Sequence, residues 1–191
     1  MKLLSKRELG LFVGLVVLVG VSWQWLQKTD AVVNSQTLQE QEEVDGYLKH
    51  FVITAMNKEG QPNHRLEADK MVLFSGTRLS QVEKPFLTLY RGDENPWLIR
   101  AEHGLVQTGV DVVFLTGNVR MTQEDLEGNI TEVLTEKLEV QTRTHYALTE
   151  HTVTVNHSQG QATGIGMNAY LNEGRLSLLA QVRSYYAAPN D

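Results

Sequence analysis

From Tyr47 onward, apolar and polar positions alternate with a period of two rather than 3.6. Phe51-Val52-Ile53-Thr54-Ala55-Met56 reads as a strand, Asn57-Lys58-Glu59-Gly60-Gln61-Pro62 as a turn, and Arg65 to Ala68 as its returning partner. Val112-Val113-Phe114-Leu115 is a run of β-formers that Gly117-Asn118 interrupts before Val119 and Met121. Leu138 and Val140 alternate with Glu139 and Gln141, and Val153 and Val155 with Thr152 and Thr154. Past Gly174 the alternation resumes through Leu176-Ser177-Leu178-Leu179 and Val182 to Tyr186. Side chains alternate across a strand, so each segment offers one apolar face. With 4 prolines and no helical periodicity after residue 46, the pattern predicts an antiparallel all-β domain of strands about five to seven residues long.

The pattern also repeats. Leu66-Glu67-Ala68-Asp69, Ile99-Arg100-Ala101-Glu102 and Val133-Leu134-Thr135-Glu136 follow one another at steps of 33 and 34 residues, taken from Ala68 to Ala101 to Thr135. A second anchor lies 18 residues after each, at Phe86, Val119 and Val153. A shorter fourth unit contains Ile165-Gly166-Met167 and Gln181-Val182-Arg183. A fixed period predicts one supersecondary unit stacked on itself, with a continuous core and an exposed edge strand at each end. Two apolar inner faces held apart make a greasy trough; in contact they make an ordinary sandwich core, and both readings stand.

The first residues follow a different rule. Leu9 to Leu26 is apolar apart from Ser22, Gln24 and glycines, and as a helix it spans roughly 27 Å, enough for one bilayer crossing. Lys2, Lys6 and Arg7 precede it, which predicts a cytoplasmic N-terminus with the remainder on the far side. No A-x-A-like site follows, so a retained anchor is expected over a cleaved signal peptide. Thr29 to Asp45 is polar and acidic and reads as a tether, with a short helix at most around Leu38 to Val44. The expected organisation is 1–8 cytoplasmic, 9–26 anchor, 27–46 tether, 47–188 β-domain and 189–191 tail.

Composition removes several functions. The formal net charge is −6, and no Lys/Arg block tracks a phosphate backbone, which argues against nucleic acid as a partner. Cysteine is absent, and with it disulfides, thiol catalysis and thiolate zinc sites. No G-x-S-x-G, H-E-x-x-H or P-loop occurs. Gly164-Ile165-Gly166-Met167-Asn168-Ala169 matches G-x-G-x-x-A, but in a β context those glycines are expected to serve a bulge. His145, His151 and His157 are six apart, too far along one strand to share a metal, and are expected to face solvent. No cofactor, metal site or enzymatic activity is expected. A hydrolase on the same scaffold would need convergent carboxylates, and Glu132 with Glu136 or Glu124 with Asp125 are ordinary surface acids.

Ordered local matches then carry a resemblance. They are Asn57-x-x-Gly60 before Arg65-Leu66-x-Ala68, Lys84-Pro85-x-Leu87-x-Leu89, Trp97-x-Ile99-x-Ala101, Val113-x-Leu115-x-Gly117-x-Val119, Gly164-x-Gly166-Met167, and the closing Gly174-x-Leu176-x-Leu178-Leu179-x-x-Val182-Arg183-x-x-Tyr186. In this order the chain resembles the LptC family, bitopic inner-membrane components of the lipopolysaccharide export machinery of Gram-negative bacteria. The resemblance implies one transmembrane helix followed by a periplasmic antiparallel β-jellyroll of the LptA/OstA-like kind. It implies receipt of lipopolysaccharide from an ABC transporter (LptF and LptG permeases with the LptB ATPase) and transfer to an LptA-like bridge protein. Placed on this chain, the acyl chains fall against Leu66, Ala68, Phe86, Ala101, Leu115, Val119, Met121, Val133, Val153, Met167, Leu178 and Val182. The transporter-facing edge falls at Tyr47, Phe51, Ile53 and Ala55. The LptA-facing edge falls at Gly160, Gly164, Leu176, Leu178, Val182, Tyr185 and Tyr186. The competing expectation is a structural tether of the periplasm that binds no lipid.

Overall fold

The computed structural model describes residues 44–92 and 94–186. The expected anchor at 9–26 and the tether up to residue 43 lie outside the described residues. Residues 44–46, expected in the tether, are already strand. Eleven antiparallel strands form one sheet: β1 (Val44–Met56), β2 (Pro62–Phe74), β3 (Leu79–Glu83), β4 (Phe86–Arg91), β5 (Glu94–Arg100), β6 (His103–Gln107), β7 (Val112–Glu124), β8 (Ile130–Gln141), β9 (Tyr146–His157), β10 (Gly160–Tyr170) and β11 (Arg175–Tyr186). A 3-10 turn at Leu171–Glu173 replaces the continuous β-segment expected up to Gly174.

The long strands bend from one layer into a second. β2 pairs with β4 through His64–Glu67 and with β3 through Lys70–Leu73. β7 pairs with β6 through Val112–Thr116 and with β5 through Arg120–Thr122. Register breaks mark the bend: Thr116/Val119 in β7, Thr135/Glu139 between β8 and β9, Ile165/Met167 in β10. Left-handed residues stand at it, namely His50 (φ 45°), Gly117 (81°), Asn118 (48°), Gly166 (76°) and Gln181 (51°). A bulge at such a residue turns the strand while its hydrogen bonding continues on both sides. This is why β1, β2 and β7 to β11 run to 11–13 residues, while β3 to β6 keep the expected five to seven. The glycines of the G-x-G-x-x-A match are part of this bend, Gly166 with its left-handed φ at the break itself.

The bend explains the repeat. Ala68, Ala101, Thr135 and Ile165-Gly166 are places where the chain passes from the first layer to the second. Phe86, Val119, Val153 and Gln181-Val182 are places where it returns. One period is one circuit through both layers.

Each inner face is a cross-strand ladder. In the first layer Ile53, Leu66, Leu87, Ile99, Met121, Val133, Val155 and Ala162 pair in succession from β1 to β10. In the second, Leu73, Ser80, Val106, Val113, Val140, Ala147, Ala169 and Leu176 run from β2 to β11. Burying each large apolar side chain contributes on the order of 1.5–3 kcal/mol, so the space between the ladders is what holds the layers together.

Candidate functional site

In the middle of the molecule the inner faces touch. Leu115, Val119, Met121 and Val133 are 1% exposed, and Val153 and Met167 are 0% exposed. Leu66 and Ala68 are buried in the same core, Phe86, Ala101 and Leu178 are half-buried, and Val182 is exposed. Of the alternatives the alternation left open, this conformation adopts the packed core at the centre.

Room remains at the β1 end. A cavity of about 330 Å³ is lined by Leu48, Ile53, Leu66, Met71, Leu73, Leu87 and Val106, with His64, Gln107, Asp111 and Thr142 among its polar groups. Its walls are apolar and its polar groups few, the usual make-up of a small-ligand pocket. Of these, Leu66 was expected to face the acyl chains, whereas Ile53 was expected on the transporter-facing edge. Leu48, Met71, Leu73 and Val106 were not expected at either, although Met71 and Leu73 continue the period-two alternation of β2 past the bend.

Polar groups join the two layers along the rims opposite the bend. Asn63 Nδ2 donates to the Thr142 carbonyl at 3.0 Å. Trp97 Nε1, buried, donates to the Leu171 carbonyl at 3.2 Å. Arg91 donates to the Asn172 carbonyl at 3.1 Å and pairs with Glu94 at 2.6 Å. On the second-layer rim, Thr142 Oγ1 donates to the Asp111 carbonyl at 3.0 Å, and Arg143 pairs with the Asp111 carboxylate. His145, expected to face solvent, is 4% exposed instead: its Nδ1 lies 2.6 Å from Asn172 Oδ1, and its carbonyl accepts from Leu171 N at 2.9 Å. It sits in the β8–β9 turn with φ 52°, and the 3-10 turn folds over it. His151 on β9 is exposed and His157 half-buried. The His64 imidazole, at the cavity, is held below its ordinary pKa by burial, opposed by the charge of Asp111 and reinforced by His145. Among the described residues no three His, Asp or Glu side chains converge as a metal site, and no helix is long and apolar enough to cross a membrane.

Among the described residues, two edges are left unpaired. β1 pairs only with β2 and β11 only with β10. On β1, Tyr47 (64%) and Ile53 (43%) are exposed while Phe51 and Ala55 are half-buried. On β11, Val182, Tyr185 and Tyr186 are exposed, whereas Leu176 and Leu178 lean into the core. Gly160 and Gly164 lie one strand in from that edge, on β10. Their lack of a side chain lets β11 approach: a Cβ on Gly160 would stand 2.1 Å from the Tyr185 carbonyl oxygen, and one on Gly164 3.1 Å from that of Ala180.

A family described as "Lipopolysaccharide-assembly, LptC-related" matches residues 12–187. The chain belongs to the LptC family. The lipopolysaccharide export system protein LptC of Escherichia coli K12 is 22% identical over 187 residues, covering 97% of this chain and 96% of the relative. The LptC of Shigella flexneri is similar to the same extent. Among solved structures, LptH of Pseudomonas aeruginosa, the LptA-homologous periplasmic component of the lipopolysaccharide transport device, superposes with a TM-score of 0.54 at 9% identity. It covers 66% of this chain and 95% of LptH. At that identity the likeness concerns the fold: the bent two-layer sheet has the β-jellyroll-like fold of this LptA-homologous protein. The LptC family is one of transport components, not of enzymes.

Proposed function

We propose that this protein is the inner-membrane LptC component that moves lipopolysaccharide from an ABC transporter toward the outer membrane. The segment 9–26 anchors it with the N-terminus in the cytoplasm and the β-domain in the periplasm. The β1 edge (Tyr47, Phe51, Ile53, Ala55) docks the LptF/LptG permeases driven by the LptB ATPase. Acyl chains enter at the cavity beside β1 and travel along the inner face, and the β11 edge hands them to an LptA-like bridge by strand addition. No cofactor takes part, and the energy comes from the transporter.

The observation that carries this reading is the apolar ladder from Ile53 to Ala162, which runs without a polar interruption from the open β1 edge to β10, the strand beside β11. Each methylene moved along it stays out of water, worth about 0.8 kcal/mol per CH₂. The closed centre requires the layers to part during passage. The test is photo-crosslinking from a benzophenone amino acid at Leu48 and at Val155 while the transporter hydrolyses ATP. Lipopolysaccharide adducts at both sites are expected, and their absence at both rejects lipid carriage.

The full burial of Val119, Val153 and Met167 favours a second reading, a structural tether with a permanently closed core. Under it, transporter and bridge crosslink to the two edges while the interior never does.

A further inference from the structure

Seven strands (β1, β2 and β7 to β11) run unbroken through the bend, so the layers cannot separate there without breaking the sheet. They can separate only at the rims opposite. Among the described residues, three side-chain hydrogen bonds cross from rim to rim: Asn63 to the Thr142 carbonyl, Arg91 to the Asn172 carbonyl and Trp97 to the Leu171 carbonyl. The carbonyl side is fixed by its own contacts, Thr142 by Asp111, Leu171 and Asn172 by His145. Thr142 also lines the open cavity, and Asn63 adjoins His64, which lines it too. The first rim bond is therefore a wall of the cavity, and the other two lie deeper along the same seam.

We propose that these three bonds are a clasp that keeps the jellyroll shut, and that its release, starting at Asn63–Thr142, admits a hydrocarbon chain from the cavity into the interior. The inference rests on the lipid-carrying reading. The clasp suits the task because it is short and consists of side-chain donors meeting backbone carbonyls. Losing one such bond changes an opening equilibrium by about fivefold, so a small push suffices to part the rims. The left-handed residues at the bend give the opposite side a turning point that stays covalently intact.

The chain has no cysteine, so one introduced thiol reports on opening. In the full-length protein carrying Val133→Cys at the closed centre, maleimide labelling is followed in the Asn63→Ala, Arg91→Met and Trp97→Phe backgrounds. Arg120→Met, which removes an outer-face pair with Glu132, serves as the comparison. Labelling about fivefold faster for each bond removed is expected, with Arg120→Met unchanged. Uptake of a dansyl-labelled long-chain fatty acid should accelerate in parallel. Labelling at the parental rate in Asn63→Ala and Arg91→Met, with cooperative thermal unfolding retained, overturns the clasp; Asn63→Ala, at a half-buried position, decides alone if Arg91→Met or Trp97→Phe does not fold. Faster labelling without any fatty-acid binding upholds the clasp as an opening and instead overturns the lipid reading beneath it.

Discussion

Gly160 and Tyr185 lie so close that a single added methyl group has nowhere to go: a Cβ on Gly160 would stand 2.1 Å from the Tyr185 carbonyl oxygen. The obstacle is backbone, not a flexible side chain, so β11 itself must yield. Gly160→Ala should peel the last residues of β11 away from β10 while leaving the core, which begins further along β10 at Met167, in place. Capture of an LptA-like partner in pull-down should fall at least tenfold, with a stability loss of about 1–3 kcal/mol in urea unfolding. Undiminished capture would remove the C-terminal part of β11 from the docking surface.

Val119 is 1% exposed, and Thr135 pairs with it across the bend. A carboxylate at that position is a buried charge with no partner, which costs several kcal/mol. Val119→Asp should therefore unfold the domain, and lipid and partner binding should disappear together. Leu48→Asp, at a position 42% exposed beside the cavity, should keep the fold and lose only lipid adducts. Far-ultraviolet circular dichroism against crosslinking yield separates the two. A folded Val119→Asp protein would mean that the centre is wet.

Deleting residues after Gly174 removes β11 and leaves β10 as the edge. Leu176 and Leu178 leave the core with it, so the melting temperature should fall by several degrees. Transporter association through β1 should persist and bridge capture should be lost. Co-purification with each partner measures both, and bridge capture surviving the truncation would assign that partner to another surface.

His64 gives a pH dependence of definite sign. Burial holds its imidazole below the ordinary value, ahead of the opposing charge of Asp111 and the reinforcing one of His145. The unfolded chain therefore takes up a proton first as pH falls. The stability that this group confers is fully present above the ordinary imidazole pKa of about 6.5 and is lost as pH drops from there toward the lowered folded value. Urea midpoints should decline between pH of about 7.5 and about 5.5, and His64→Gln should flatten the decline. An equal decline in the variant would assign the effect to another group.

The sequence by itself determined the class of the fold and its periodicity. Alternation is a local property, so each segment announced its apolar face, and the 33-residue spacing announced a circuit. Asn57 and Gly60 announced their turn, in which Asn57 Oδ1 accepts from the backbone N–H groups of Glu59 and Gln61. Family membership was legible in the order of those local patterns, although the Escherichia coli relative is only 22% identical. The distance between the two apolar faces was not legible, since alternation is the same whether the faces touch or stand apart. Only the tertiary structure decided that they meet at Val119, Val153 and Met167 and separate beside Leu48 and Ile53. It also decided the fate of His145, a polar residue in a turn, whose burial follows from a 3-10 turn that arrives 27 residues later to meet it. The rim bonds of Asn63, Arg91 and Trp97 span 74 to 81 residues of sequence, and no local pattern encodes a contact of that range.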